Sequence, residues 1–158
     1  MGFPFPFDVE DVEFQIQHEG WNVYELSDRT ILRIRPIVLK FFKQKGSTGA
    51  IGISGSPVGL GISAQNVMTV RTKAELKGTP SPIPVDLARL ETEAEKVEVQ
   101  AKPFSEEWNE YVLSDGTPVR VKLVLISVFR TKDHYDQFGE PIYLVRSDNI
   151  VAIDKKPK

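Results

Sequence analysis

The chain contains no cysteine. Disulfides, thiolate nucleophiles and Cys-based zinc sites are excluded with it. It has only two histidines, His18 and His134, and neither stands in an HExxH or HxH pattern, so no metal site is expected. It has no positive excess: 20 Lys and Arg against 22 Asp and Glu leave a net charge of −2. Proteins that wrap nucleic acid carry such an excess, because phosphate neutralisation dominates their affinity. No apolar run approaches the about 18 residues of a membrane span. The opening MGFPFPFDVEDVEF lacks the basic start and unbroken apolar stretch of a signal peptide. These absences lead to the expectation of a cytoplasmic protein with no membrane association. No GxSxG, dinucleotide or P-loop pattern is present, so we expect no enzyme activity, no cofactor and no small-molecule ligand.

What is present is a repeat. WNVYELSDRTILRIRPIVLKFFKQK, residues 21–45, and WNEYVLSDGTPVRVKLVLISVFRTK, residues 108–132, share ten of 25 positions without a gap. The only two tryptophans, Trp21 and Trp108, fall on each other. Upstream, VEFQ at 12–15 matches VEVQ at 97–100. Downstream, GSPVGLGISAQNV from Gly55 matches GEPIYLVRSDNIV from Gly139 with one residue of slippage, pairing Pro57 with Pro141 and Asn66 with Asn149. We therefore expect an internal duplication: an N-terminal Phe/Pro arm at 1–11, one β module at 12–71, a linker at 72–96 and a second β module at 97–158. The linker opens with Pro, Gly, Ser and Thr, a turn composition. Its second part, Val85 to Lys96, has Val85, Leu87, Leu90 and Ala94 at helical spacing behind Pro84, which predicts one short helix.

Each module reads as strand. In PVRVKLVLISVFRT, Val119 and Val121 alternate with Arg120 and Lys122. From Leu123 to Phe129 the run is apolar at nearly every position, as it is from Ile37 to Phe42. Such runs predict strands greasy on both faces, which need cover on both. Ser114-Asp115-Gly116-Thr117 is a hairpin turn, since Gly tolerates positive φ. Its counterpart Ser27-Asp28-Arg29-Thr30 has Arg29 in that place, which predicts a longer or different loop. PIYLVRS predicts a third strand, followed by Asp148-Asn149 and a short strand IVAID. The glycines between Gly46 and Gly61 predict a closely packed or pliant loop. Four or five short strands in about 60 residues predict a mainly β fold of two tandem small β-barrel-like modules. A module that small buries a modest core, so the two should lean on each other or on neighbouring chains.

Candidate surfaces follow. Arg33 and Arg35 share one strand face, as do Arg120 and Lys122, and Arg130 and Arg146 extend the set. This strip could meet phosphates or an acidic partner, or be a solvated face paired to nearby Glu. Trp21/Trp108, Asn22/Asn109 and Tyr24/Tyr111 recur together, as core or as a stacking platform. Phe3, Phe5 and Phe7 alternate with proline in an extended arm that should dock in a groove. With Phe41 and Val128 of the greasy strands they are the candidate contacts of a homo-oligomer.

Val112-Leu113-Ser114-Asp115-Gly116, a long strand after it, and Val145-Arg146-Ser147-Asp148-Asn149-Ile150-Val151-Ala152-Ile153 together resemble the Sm-like (Lsm and Hfq) small barrel. The resemblance covers most of 108–154 and, more faintly, 21–70. It implies small barrels with a strongly bent strand, joined edge to edge into rings, and RNA as a partner. The family's base-binding loop is absent: Phe129-Arg130-Thr131-Lys132-Asp133-His134 stands there, Ser147 replaces a glycine, and the first module has Ser63-Ala64-Gln65-Asn66 in place of the arginine motif. The leading expectation is a non-enzymatic oligomeric assembly or scaffold protein. The alternative is a single-stranded RNA-binding protein using the basic strip.

Overall fold

The computed structural model describes residues 9–44, 59–82 and 84–154. The chain is mainly β, as the alternation and β-branched content predict. In order come β1 (Val9–Val12), β2 (Phe14–His18), β3 (Asn22–Leu26), β4 (Ile31–Gln44), β5 (Leu60–Arg71), α1 (Leu87–Glu93), β6 (Lys96–Val99), β7 (Ala101–Ser105), β8 (Asn109–Leu113), β9 (Pro118–Tyr135) and β10 (Pro141–Ile153). They form two five-stranded antiparallel sheets. In the first, β4 lies between β5 on one side and β1 and β3 on the other, with β7 outside β3. In the second, β9 lies between β10 and the pair β6 and β8, with β2 outside β8. Neither sheet closes into a barrel among the described residues.

The two sheets exchange strands. β2 belongs by sequence to the N-terminal half, yet it pairs with β8. β7 belongs to the C-terminal half, yet it pairs with β3. Each of the two hydrophobic cores is therefore mixed. One gathers Tyr24, Leu26, Leu32 and Ile34 with Val99, Leu123, Val128 and Tyr143. The other gathers Tyr111, Leu113, Val119 and Val121 with Val38, Phe41, Leu60 and Val151. Neither core is drawn from one half of the chain alone. Upstream of the tryptophans, the strands correspond at the 87-residue spacing that relates Trp21 to Trp108: β1 with β6 and β2 with β7. VEFQ and VEVQ are displaced by two residues from that correspondence. A two-residue shift along a strand returns the same faces, so the sequence match survives it.

The greasy runs have a different explanation from the one expected. Leu32, Ile34, Pro36 and Val38 face inward, and then Phe41 does. The register against β5 slips between Val38 and Lys40, so Leu39 is a bulge. In β9 the slip falls at Ile126, between Leu125 and Ser127. A bulge swaps the inward parity of a strand and bends it. One face is thus apolar before the bulge and the other parity after it, and only Leu39 and Ile126 themselves stay exposed, at 48% and 60%. The expected two-sided cover is not required. Asp148-Asn149 does not break a strand either, since β10 runs through it.

Helix α1 begins two residues later than the apolar spacing predicts, because Asp86 caps it: Oδ1 accepts from the N–H groups of Ala88 and Arg89. The two hairpins that open β4 and β9 close with the same hydrogen bonds, Leu26 to Thr30 and Leu113 to Thr117. Arg29 takes φ 70° where Gly116 takes 86°, so the loop expected to differ is the same tight turn with a non-glycine forced left-handed. That conformation costs a residue with a Cβ about 1 kcal/mol or more. Arg29→Gly is expected to stabilise the fold by about 1 kcal/mol and raise its melting temperature by roughly 3 °C, read by thermal circular dichroism.

Candidate functional site

The basic residues alternate with the core positions of β4 and β9 and so face outward. They do not form one strip. Arg33 and Arg35 lie on the first sheet, where the Arg33 guanidinium sits 4.7 Å over the ring of Trp21. Arg120 and Lys122 lie on the second sheet, 4.5 and 5.8 Å from the ring of Trp108. Arg120 also pairs with Asp154 at 2.9 Å. Each indole thus already holds a cation at cation–π distance. Arg35 Nε is buried with no partner among the described residues. Arg146 is exposed on β10. The stacking platform dissolves in the same way: Tyr24, Tyr111, Asn22 and Asn109 are all buried, at 2% exposure or less.

Arg130 is used inside the protein. Its guanidinium donates to Asp28 Oδ2 at 2.8 Å, and Tyr143 Oη donates to the same oxygen at 2.7 Å. Asp28 Oδ1 accepts from Thr30 N–H, the Asx turn expected of it. Burial alone would raise the Asp28 carboxyl, but the hydrogen bonds from Tyr143, Arg130 and Thr30 outweigh burial and hold it below the usual carboxylate range. The related pair Asp115–Lys43, at 3.2 Å, is solvent-facing, and the Thr117 hydrogen bonds hold Asp115 low. Both pairs join the N-terminal half to the C-terminal half.

Two further recurrent sets stitch the strand exchange. Between Ile34, where β3 ends its pairing, and Phe41, where β1 begins, β4 has no strand partner on that side among the described residues. Asn109 Nδ2 donates to Pro36 O at 3.0 Å, and Glu19 Oε2 accepts from Val38 N–H at 3.1 Å. Pro36 is tolerated inside a strand because it lies in this gap, where no ladder partner awaits an N–H. Asn109 Oδ1 accepts from Gly20 N–H, and Asn22 Oδ1 accepts from Glu107 N–H, both at 3.0 Å. Tyr111 donates to Glu19 and Tyr24 to Glu106. Burial, then the facing glutamate, raises both phenols far above their usual value, so they remain donors. The sequence carried a signal for this: Glu19 and Glu106 share the 87-residue spacing of the tyrosines they meet.

The open surfaces are elsewhere. Two related grooves flank the bulges. One, of about 670 Å³, is lined by Val12, Phe14, Leu39, Lys40, Leu113 and Ser114. The other, of about 250 Å³, includes Val99, Ala101, Ile126 and Ser127. The edges of β5 and β10 pair with no strand among the described residues, but they approach each other within the chain, where Asn66 Nδ2 donates to Ser147 Oγ at 3.0 Å; Val67, Met68, Ile150 and Ile153 are exposed along them. Of the candidate oligomer contacts, Phe41 and Val128 are corrected: at 0% and 1% exposure they fill the chain's own cores, because the bulges turn them inward. Phe3, Phe5 and Phe7 lie outside the described residues, as does most of the glycine-containing loop. His18 Nε2 meets Glu107 at 2.7 Å on the surface, and His134 offers only its backbone carbonyl, to Thr131. No group of side chains among the described residues could hold a metal ion, and no helix among them is long and apolar enough to cross a membrane.

Comparison of the chain with family models, curated proteins and solved structures gives no match.

Proposed function

We propose that the protein is a non-enzymatic, cytoplasmic assembly protein, a duplicated small β module of Sm-like kind, whose chains join through the outer edges of β5 and β10. The observation that carries this reading is the pair of edges, 12 and 13 residues long, that pair with no strand among the described residues and carry exposed apolar side chains. A long edge of that kind is a template for pairing with another chain, and proteins that stay monomeric blunt it with charge, proline or a short strand. Here Val67 and Ile150 hold the equivalent central positions, opposite Arg35 and Lys122. The bends of β4 and β9 at their bulges fit the strongly bent strand that the Sm-like resemblance implies.

The test is size-exclusion chromatography with light scattering. The wild type should elute as a homo-oligomer at micromolar concentration. Val67→Glu with Ile150→Glu should shift it to the monomer mass while leaving its melting temperature unchanged or higher. Each new carboxylate faces a cation across the ladder, a pairing that contributes roughly 0.2–1 kcal/mol. A monomeric wild type removes the reading. A second reading, RNA binding, rests on Arg33 and Arg35 alternating with the buried positions Leu32 and Ile34 on β4. It predicts a high ratio of absorbance at 260 to 280 nm on the same peak, falling with salt.

A further inference from the structure

The two cores are built from corresponding positions but filled differently. The core beneath β3 has Leu32 and Ile34 where the core beneath β8 has Val119 and Val121. Each core is completed by the other half, and there the sizes run the opposite way. Small Ala101 and Val128 meet Leu32 and Ile34, whereas large Phe14 and Phe41 meet Val119 and Val121. The Phe14 and Phe41 rings lie 5.0 Å apart, edge to face, and both touch the ring of Tyr111. The matching corner of the other core has no such triplet. It has Tyr143 and Leu125 where the core beneath β8 has Leu60 and Val38.

An N-terminal half completing another N-terminal half would press Leu32 and Ile34 against the two phenylalanines. Two C-terminal halves would leave a void between Val119, Val121, Ala101 and Val128. Interiors packed at crystal density resist both errors. The polar contacts agree. Tyr143 reaches Asp28 and Thr30, and His18 reaches Glu107. At the corresponding positions stand Leu60 and Gly20, which cannot make these bonds.

We propose that the halves are unlike partners locked by size: each recognises the other and not a second copy of itself.

Two transpositions in the intact chain test the lock. The first exchanges the small pairs: Leu32→Val, Ile34→Val, Val119→Leu and Val121→Ile. The second exchanges the facing set: Phe14→Ala, Ala101→Phe, Val38→Leu, Leu125→Val, Phe41→Val, Val128→Phe, Leu60→Tyr and Tyr143→Leu. Either alone should lower the melting temperature by about 5 °C or more. Both together only move the two cores to opposite ends of the molecule, so stability should return close to wild type. If the second set alone does not fold, a folded double transposition still carries the result. A double transposition as unstable as the two effects added, or unfolded, overturns the proposal. Pairing is read directly on a chain carrying a protease site after Pro84, cut when folded, then unfolded and refolded. Native mass spectrometry should show unlike pairs enriched roughly tenfold or more over a statistical mixture, equivalent to about 1.4 kcal/mol. The first transposition should shift the ratio toward like pairs. A statistical mixture from the wild type overturns the lock.

Discussion

Asp28→Ala is expected to destabilise the protein by about 3 kcal/mol, measured by urea denaturation at pH 7. Asp28 is partly buried, its side chain 9% exposed, and it receives Arg130, Tyr143 and the Thr30 N–H. Removing one partner of a buried, hydrogen-bonded ion pair strands the other, which is why the loss exceeds the net worth of the pair. Arg130 is left 22% exposed without its carboxylate, and the Tyr143 hydroxyl keeps only Thr30. The pH dependence has a definite sign. The folded carboxyl is held below its unfolded value of about 3.9. Its stabilisation is therefore complete above pH ~4 and is lost as the pH falls through the depressed folded value. Asp28→Asn should abolish that acid-limb slope while keeping part of the hydrogen bonding. Asp115→Ala is the control: its partner Lys43 is solvent-facing, so the loss should be much smaller. Equal losses at the two aspartates would refute the assignment of Asp28–Arg130 as the buried joint between halves.

Asn109→Ala is expected to cost a similar amount, about 3 kcal/mol, through a different mechanism. The Asn109 side chain is fully buried and serves two backbone groups, the Gly20 N–H and the Pro36 carbonyl. Both belong to the N-terminal half, and neither has a strand partner to fall back on. Each buried group left without a partner costs about 1–3 kcal/mol. Asn109→Asp is the discriminating variant: it retains an acceptor for Gly20 but loses the donor to Pro36, and it should still be destabilised. Amide hydrogen exchange should show faster opening at Gly20 and Val38 than in the core of β4. Unchanged protection there would mean that the gap in β4 is held by something else.

The legible parts of this protein were those decided within a few residues. Leu32 and Ile34 alternate with Arg33 and Arg35, and that period alone places one set inside and the other outside. Asp115-Gly116 names its own turn. Leu39 and Ile126 were not legible, because a bulge leaves no residue type behind. It shows only as a change in which parity is buried, and in sequence that change looks like a strand greasy on both faces. For this reason the pattern points Phe41 and Val128 outward, whereas both are core. Arg130 shares the even parity of Arg120 and Lys122 in sequence, but beyond the bulge it no longer shares their face.

By itself, the sequence determined the strand content and the Asp115-Gly116 hairpin, because these rest on local dihedral preferences and side-chain period. The tertiary structure alone decided that β2 and β7 cross to the other sheet and that each core is drawn from both halves. A strand shows the same alternating faces to any edge that accepts it. Which edge it joins depends on the summed packing and hydrogen bonds of groups some 90 residues apart, such as Gly20 with Asn109, and no local pattern records that choice.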